Sequence, residues 1–147
     1  MVEHAKLVVI GAGIAGCSTA YHLSRLGWND IIVLEQGELF QPGNSTSHAP
    51  GNIFQTNFSR TMTKFAQYSI ELFSKLKLDD RQCYYPVGGM EVATTGERFE
   101  DLKRKLGVAK SWGTEASLVS AEEARELFHY WIGKKSRGRT TFQTMVS

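Results

Sequence analysis

The segment Gly11-Ala-Gly-Ile-Ala-Gly16 constrains this chain more than any other stretch of it. It follows a continuous apolar run, Lys6–Ile10 (KLVVI). A short apolar run that breaks on glycine reads as a strand buried on both faces. Residues 14–26 (IAGCSTAYHLSRL) then bring Ile14, Cys17, Ala20, Tyr21 and Ser24 onto one helical stripe. Gly27 supplies the C-terminal stop. A second apolar run, Ile31–Leu34, leads straight to Glu35. Strand, glycine turn, helix and strand in close succession make a βαβ unit. Its crossover is expected to be right-handed and its two strands parallel. The fold class is therefore α/β.

GxGxxG alone is a weak signal. Here it follows a strand, opens a helix, and has an acid nineteen residues after its last glycine. Together these conditions define a dinucleotide-binding fingerprint. Gly11 permits the tight turn, Gly13 lets backbone approach a pyrophosphate, and Gly16 lets the helix pack on the strand. The helix start offers unsatisfied N–H groups and a positive dipole end to phosphates. Glu35 is placed to accept hydrogen bonds from ribose hydroxyls, and its charge would repel a 2′-phosphate, which disfavours NADP. The fingerprint does not separate FAD from NAD, and a glycine-rich turn without a ligand is the bland alternative.

Residues 36–58 are crowded with Gly, Pro, Asn, Ser and Thr. So long a loop inside a compact domain is usually functional or disordered, and the presence of His48 and Phe54 favours function. A lone loop histidine is, by composition, an ordinary solvated residue. Ser59 reads as an N-cap for a helix running to about Lys77, with Met62, Phe65, Ala66, Ser69, Phe73 and Leu76 near one face. Cys83–Tyr85 and Met90–Thr94 are expected to form a hairpin across Pro86-Val-Gly-Gly89. Glu97 to about Trp112 is a charged amphipathic helix. Ser120-Ala-Glu-Glu123 is a capping box opening a short helix through Phe128. Arg60 and the run Lys103-Arg-Lys105 read as solvated surface, and Phe54, Tyr84 and Tyr85 as packing.

A length of 147 residues suits one domain, and 41% hydrophobic with 11% aromatic residues suits a globular one. The net charge of +2 turns to −2 without Lys134, Lys135, Arg137 and Arg139. The basic balance thus belongs to the tail and signals no nucleic acid. No apolar run is long enough to span a membrane. Cys17 and Cys83 lack metal-ligand spacing and are expected to be reduced thiols in a cytoplasm. Cys17, inside the first helix, reads as a small packed side chain.

Residues 6 to about 128 resemble the N-terminal part of the FAD-dependent amine oxidoreductases that include dimethylglycine oxidase, dimethylglycine dehydrogenase and sarcosine dehydrogenase, with the bacterial dimethylglycine oxidases nearest. The segments VVIGAGIAGCSTAYHLSRLGW, IIVLEQGELFQPGNSTSHAPGNIFQTN, VGGMEVATT, LKRKLG, SWG and LVSAEEARELF carry the likeness in order. It implies a Rossmann-like FAD-binding unit with the beginning of a substrate domain. It implies FAD as cofactor, held by Gly11, Ala12, Gly13, Ile14, Ala15, Gly16, Glu35, Gln36, Ser45, Ser47 and His48. The histidine of STSHAPG is the residue such proteins tether covalently to the flavin, which is His48 here. The implied reaction is oxidative N-demethylation of dimethylglycine or sarcosine, an N-methyl amine being the substrate.

The resemblance stops at Phe128. Residues 1–128 are thus expected to be the N-terminal part of an FAD-dependent oxidoreductase domain, and 129–147 an unmatched, disordered basic tail. The fold is expected to be incomplete and the truncated chain inactive alone. No catalytic residue and no metal ligand is named. The competing readings are a non-catalytic nucleotide-binding or subunit-pairing module, completed by a separate subunit, and an NAD-binding domain. The NAD reading leaves STSHAPG without a role.

Overall fold

The computed structural model describes residues 4–39, 45–127 and 143–146. The chain divides into two compact units, Met1–Asn52 and Ile53–Ser147.

The first unit is the expected βαβ arrangement. Strand β1 (Leu7–Ile10) runs parallel to β2 (Ile31–Leu34), with Leu7 opposite Ile31 and Ile10 opposite Leu34. Helix α1 (Ile14–Arg25) crosses between them. It ends in a Schellman motif: Gly27, at φ 91°, donates its N–H to Ser24 O at 3.0 Å, and Trp28 donates to Leu23 O at 3.1 Å. His22 and Arg25 in the last turn complement the negative dipole end. Gly16 lies against the Val9 side chain, so α1 covers the face of the sheet carrying Val9. The opposite face carries Val8, Ile10 and Leu34, which are 48%, 88% and 52% exposed. Among its described residues this unit buries none fully.

The second unit has its own small core. Helix α2 (Arg60–Phe73) starts at Ser59, whose hydroxyl accepts from Met62 N–H at 3.4 Å, as the sequence predicts. It stops before Lys77. Residues 74–76 tighten into i→i+3 hydrogen bonds, Lys75 N–H to Leu72 O and Leu76 N–H to Phe73 O. The chain then enters a hairpin of β3 (Lys77–Leu78) and β4 (Arg81–Gln82). A two-residue hairpin turn needs positive φ at both central positions. Asp79 and Asp80 supply it, at 47° and 63°. The hairpin expected at residues 83–94 therefore does not form. Its second strand exists as β5 (Met90–Ala93), but paired elsewhere.

Helix α3 (Gly96–Ser111) is capped by the Thr95 hydroxyl, which accepts from Arg98 N–H at 3.2 Å. A second Schellman motif, at Gly113 (φ 78°), ends it. Strand β6 (Ser117–Ser120), not foreseen in the sequence, precedes α4 (Ala121–Leu127). The capping box of α4 closes as expected: Ser120 N–H donates to Glu123 Oε2 at 2.7 Å, and Glu123 N–H to Ser120 Oγ at 3.2 Å. Within the tail expected to be disordered, Gln143–Val146 form β7. It lies between β5 and β6, antiparallel to both. Residues 129–142 and 147 of that tail, and Phe128 before it, lie outside the described residues.

The core gathers under α3. Leu102 and Ala93 are fully buried, with Phe99, Leu106, Ala116 and Leu118 packed against them. Glu91 on β5 binds two cations of α3, Arg98 and Lys105, the latter at 2.6 Å. On α2 the inward residue is Thr63, whereas Met62 and Phe65 are 53% and 63% exposed. Ala66, Ser69 and Phe73 of the expected face are half-buried, and the face shifts from the expected one toward Gln67, one turn on from Thr63, which reaches inward. Its amide donates to Thr114 Oγ1 at 3.2 Å and to Trp112 O at 3.5 Å. Polar pairing, invisible to an apolar stripe, orients this helix.

Leu102 is the largest fully buried apolar side chain described. Leu102→Ala is expected to destabilise the second unit by about 3 kcal/mol through lost transfer energy and an unfilled cavity. A urea titration followed by the tryptophan signal of Trp112 measures it; a loss under about 1 kcal/mol would mean that the site collapses around the deletion.

Candidate dinucleotide-binding site

The turn between β1 and α1 is dictated by three glycines with three different reasons. Gly11 adopts φ +97°, which side-chain-bearing residues rarely take. A Cβ on Gly13 would lie 3.0 Å from Thr46 Oγ1. A Cβ on Gly16 would lie 1.8 Å from the carbonyl oxygen of Gly11 and 3.3 Å from Val9 Cγ1. No side chain fits at that last position, so α1 packs backbone to backbone against the turn at Gly11. Gly13 is also the N-cap of α1, with extended φ and ψ of −70° and −178° and no side chain to cap the helix.

Two distant side chains serve the turn instead. Glu35, just after β2, accepts from Ala12 N–H at 2.7 Å through Oε2. Its Oε1 accepts from Gln36 N–H at 2.9 Å and Gly37 N–H at 3.2 Å. These donors hold the carboxyl below its ordinary range, the Ala12 N–H most of all, then Gly37, against an opposing effect of desolvation, with Gln36 contributing least. The second side chain is Thr46, whose hydroxyl oxygen accepts from Ile14 N–H at 2.9 Å. Thr46 thus supplies the cap that Gly13 lacks. The carbonyl of Thr46 accepts from Ala49 N–H at 3.2 Å, closing a turn that contains Ser47 and His48.

The structure therefore draws Gly11, Ala12, Gly13, Ile14, Ala15 and Gly16 together with Glu35 and Gln36. Through Thr46 it brings the 45–49 segment, with Ser45, Ser47 and His48, to the start of α1. All three of those side chains are exposed. Sequence reasoning missed Thr46. The signal was present: a hydroxyl residue beside a glycine N-cap that cannot cap itself. Its partner, however, is 32 residues away. Cys17 is exposed where a packed side chain was expected, and its thiol donates to Ala12 O at 3.2 Å. Asn44, the first residue of the loop segment singled out in the sequence, lies outside the described residues.

A tight glycine strand-to-helix turn and an acid at the end of the next parallel strand define a dinucleotide-binding βαβ unit. The residues present fit FAD: the turn carries no side chain at Gly11, Gly13 or Gly16, and Glu35 is an ionised acceptor suited to ribose hydroxyls. Residues 6–142 match the FAD dependent oxidoreductase family, and the chain belongs to it. The match runs past Phe128, where the likeness read in the sequence stops.

Relatives agree. The chain is 35% identical over 130 residues to 4-methylaminobutanoate oxidase (formaldehyde-forming) of Paenarthrobacter nicotinovorans, covering 85% of this chain and 15% of that protein. It is 32% identical over 128 residues to the mitochondrial dimethylglycine dehydrogenase of Rattus norvegicus (86% and 14%). It is 34% identical over 125 residues to the mitochondrial pyruvate dehydrogenase phosphatase regulatory subunit of Mus musculus (84% and 14%). The chain thus spans about 15% of the length of these relatives. Among solved structures, L-proline dehydrogenase from P. horikoshii superposes with a TM-score of 0.72 at 20% identity, covering 100% of this chain and 37% of that one. Amadoriase I from Aspergillus fumigatus gives 0.58 at 19% identity, covering 99% and 34%. These two likenesses support the fold.

Two outcomes are expected here. Glu35 has a depressed pKa in the fold, so its contribution is present above the unfolded value and is lost as pH falls through the folded one. The difference in melting temperature between wild type and Glu35→Gln should hold steady from neutral pH down to about 4.5 and close below it. A difference that is unchanged at lower pH would show that the charge plays no part. Gly16→Ala should abolish the turn, because the added methyl would lie 1.8 Å from a backbone carbonyl, that of Gly11, which has no flexible end to swing aside. Loss of protection at the amides of α1 in hydrogen exchange is the readout, and a native exchange pattern would contradict it.

Proposed function

We propose that this chain is the FAD-binding unit of an amine-oxidising flavoenzyme acting on an N-methyl amine such as dimethylglycine or sarcosine. The observation that carries the reading is the joint geometry of the first unit. Gly16 permits backbone contact with Gly11, and Glu35 stands at Ala12, in a chain that belongs to an FAD-dependent family. The first-turn amides of α1 other than Ile14 N–H, which Thr46 takes, would hold the pyrophosphate. Glu35 would accept from the ribose hydroxyls; its oxygens already hold three backbone donors and keep acceptor capacity. Gln36, Ser45 and Ser47 would line the cofactor, and His48 would be its point of covalent attachment.

FAD, when bound, supplies the two-electron acceptor for oxidation of the amine. The protein supplies binding and orientation. The named substrates of the Paenarthrobacter and rat relatives are N-methyl amines, which supports the substrate class. The first unit gives the cofactor two parallel strands, so turnover would need further structure. We place the protein in the cytoplasm, a reading supported by two unpaired cysteines. Among the described residues no helix is long and apolar enough to cross a membrane.

A second reading is a non-catalytic, nucleotide-holding module that pairs with a complementing subunit. Two observations favour it: one relative is by name a regulatory subunit, and Ile10 and Leu34 lie open on the face of the parallel sheet opposite α1. Incubation with FAD, gel filtration, and anaerobic addition of dimethylglycine, sarcosine or 4-methylaminobutanoate separate the two. Retained flavin bleached by one of these amines supports the enzyme. Retained flavin that none of them bleaches supports the module. Tight NAD binding without flavin retention would overturn both in favour of an NAD-binding domain. Where flavin is retained, His48→Ala should remove the flavin fluorescence that persists on a denaturing gel; fluorescence that persists in the variant would assign the link to another residue.

A further inference from the structure

We propose that Thr46 is a positioning residue: its hydroxyl pins the turn that carries His48 to the start of α1, and so sets the cofactor-facing loop before any cofactor arrives. The proposal rests on the FAD reading above for its functional meaning, but its structural half stands without it. One residue makes both bonds that matter. The Thr46 side chain accepts from Ile14 N–H at 2.9 Å, and its carbonyl accepts from Ala49 N–H at 3.2 Å. The first bond fastens the loop to the helix. The second folds the loop back on itself, with Ser47 and His48 as its two central residues. The imidazole is therefore carried on a short closed turn with an anchor two residues away.

The glycine turn is shaped to receive this anchor. Gly13 is the one residue of the fingerprint whose added Cβ would meet a side chain from outside the βαβ unit, and that atom is Thr46 Oγ1 at 3.0 Å. The absence of a side chain at Gly13 thus makes room for Thr46 as well as for a phosphate. The anchor is also stiff. A β-branched side chain has few χ1 choices, so an oxygen held on Ile14 N–H fixes the backbone at residue 46. Ordering the loop in advance removes that entropy cost from cofactor binding, and a chain whose loop is docked only part of the time binds in proportion to that fraction.

The test uses the full chain and two variants. Thr46→Val keeps the shape and removes the acceptor; Thr46→Ser keeps the hydroxyl. In the cofactor-free chain, Thr46→Val should speed amide exchange at Ile14 about tenfold, while Thr46→Ser leaves it near wild type. Protection at Leu102, in the other unit, is the control for folding. In FAD titrations followed by flavin fluorescence, Thr46→Val should raise Kd about tenfold and Thr46→Ser should restore it to within about threefold. Unchanged Ile14 exchange in Thr46→Val overturns the proposal. So does wild-type FAD affinity in Thr46→Val, or failure of Thr46→Ser to rescue. If the wild-type chain does not bind FAD, the flavin reading fails, and Ile14 exchange alone still decides whether Thr46 is the anchor.

Discussion

Gly16 approaches Gly11 so closely that only a hydrogen fits between its Cα and the facing carbonyl oxygen. This contact sets the distance and angle at which α1 leaves β1. It thereby sets where the first-turn amides stand, and which side of the sheet the helix covers. Glu35 and Thr46 then act on a turn whose path is already given. Each takes one backbone N–H of the turn, Ala12 and Ile14, the two that flank Gly13. The result is a turn held at its base by steric exclusion and on either side by hydrogen bonds from residues far along the chain.

The βαβ unit was legible because its signals are local. Apolar runs, glycines and an acid at the right spacing are all read within one stretch of sequence. Caps were legible for the same reason: Ser59 and the Ser120–Glu123 box each act within one helical turn. The failures share the opposite character. Gly88 and Gly89 point to a hairpin, because glycine usually supplies positive φ, whereas two consecutive aspartates, Asp79 and Asp80, take that role. The face of α2 was read from apolar spacing, but Gln67 decides it through partners more than forty residues away. Thr46 was passed over between Ser45 and Ser47 because nothing near it in sequence distinguishes its hydroxyl from theirs. What the resemblance adds, above all a covalent flavin role for His48, concerns chemistry and not geometry.

The two units differ in how they hold themselves together. The second has a fully buried leucine, a three-stranded sheet, and an acid shared by two cations. The first is a two-stranded parallel sheet with one helix, and polar bonds do much of its ordering. The helix covers one face of these two strands and leaves the other, apolar face open. Ile10 is 88% exposed in a strand whose composition is that of a buried one. That mismatch between sequence and surroundings is the physical content of the pairing hypothesis, whichever molecule or segment answers it.

The placing of β7 has a consequence for the order in which the second unit comes together. Strands β5 and β6 do not bond to each other; both bond to Gln143–Val146. During synthesis, α3 and its two flanking strands are made well before the strand that joins them. Until residue 146 has emerged, neither strand has its ladder, and both present unpaired edges. The sheet is thus closed by its most distal piece, a high-contact-order step that is slow by nature. A ribosome-bound chain of this protein would spend that interval as a helix with two loose strands beside it.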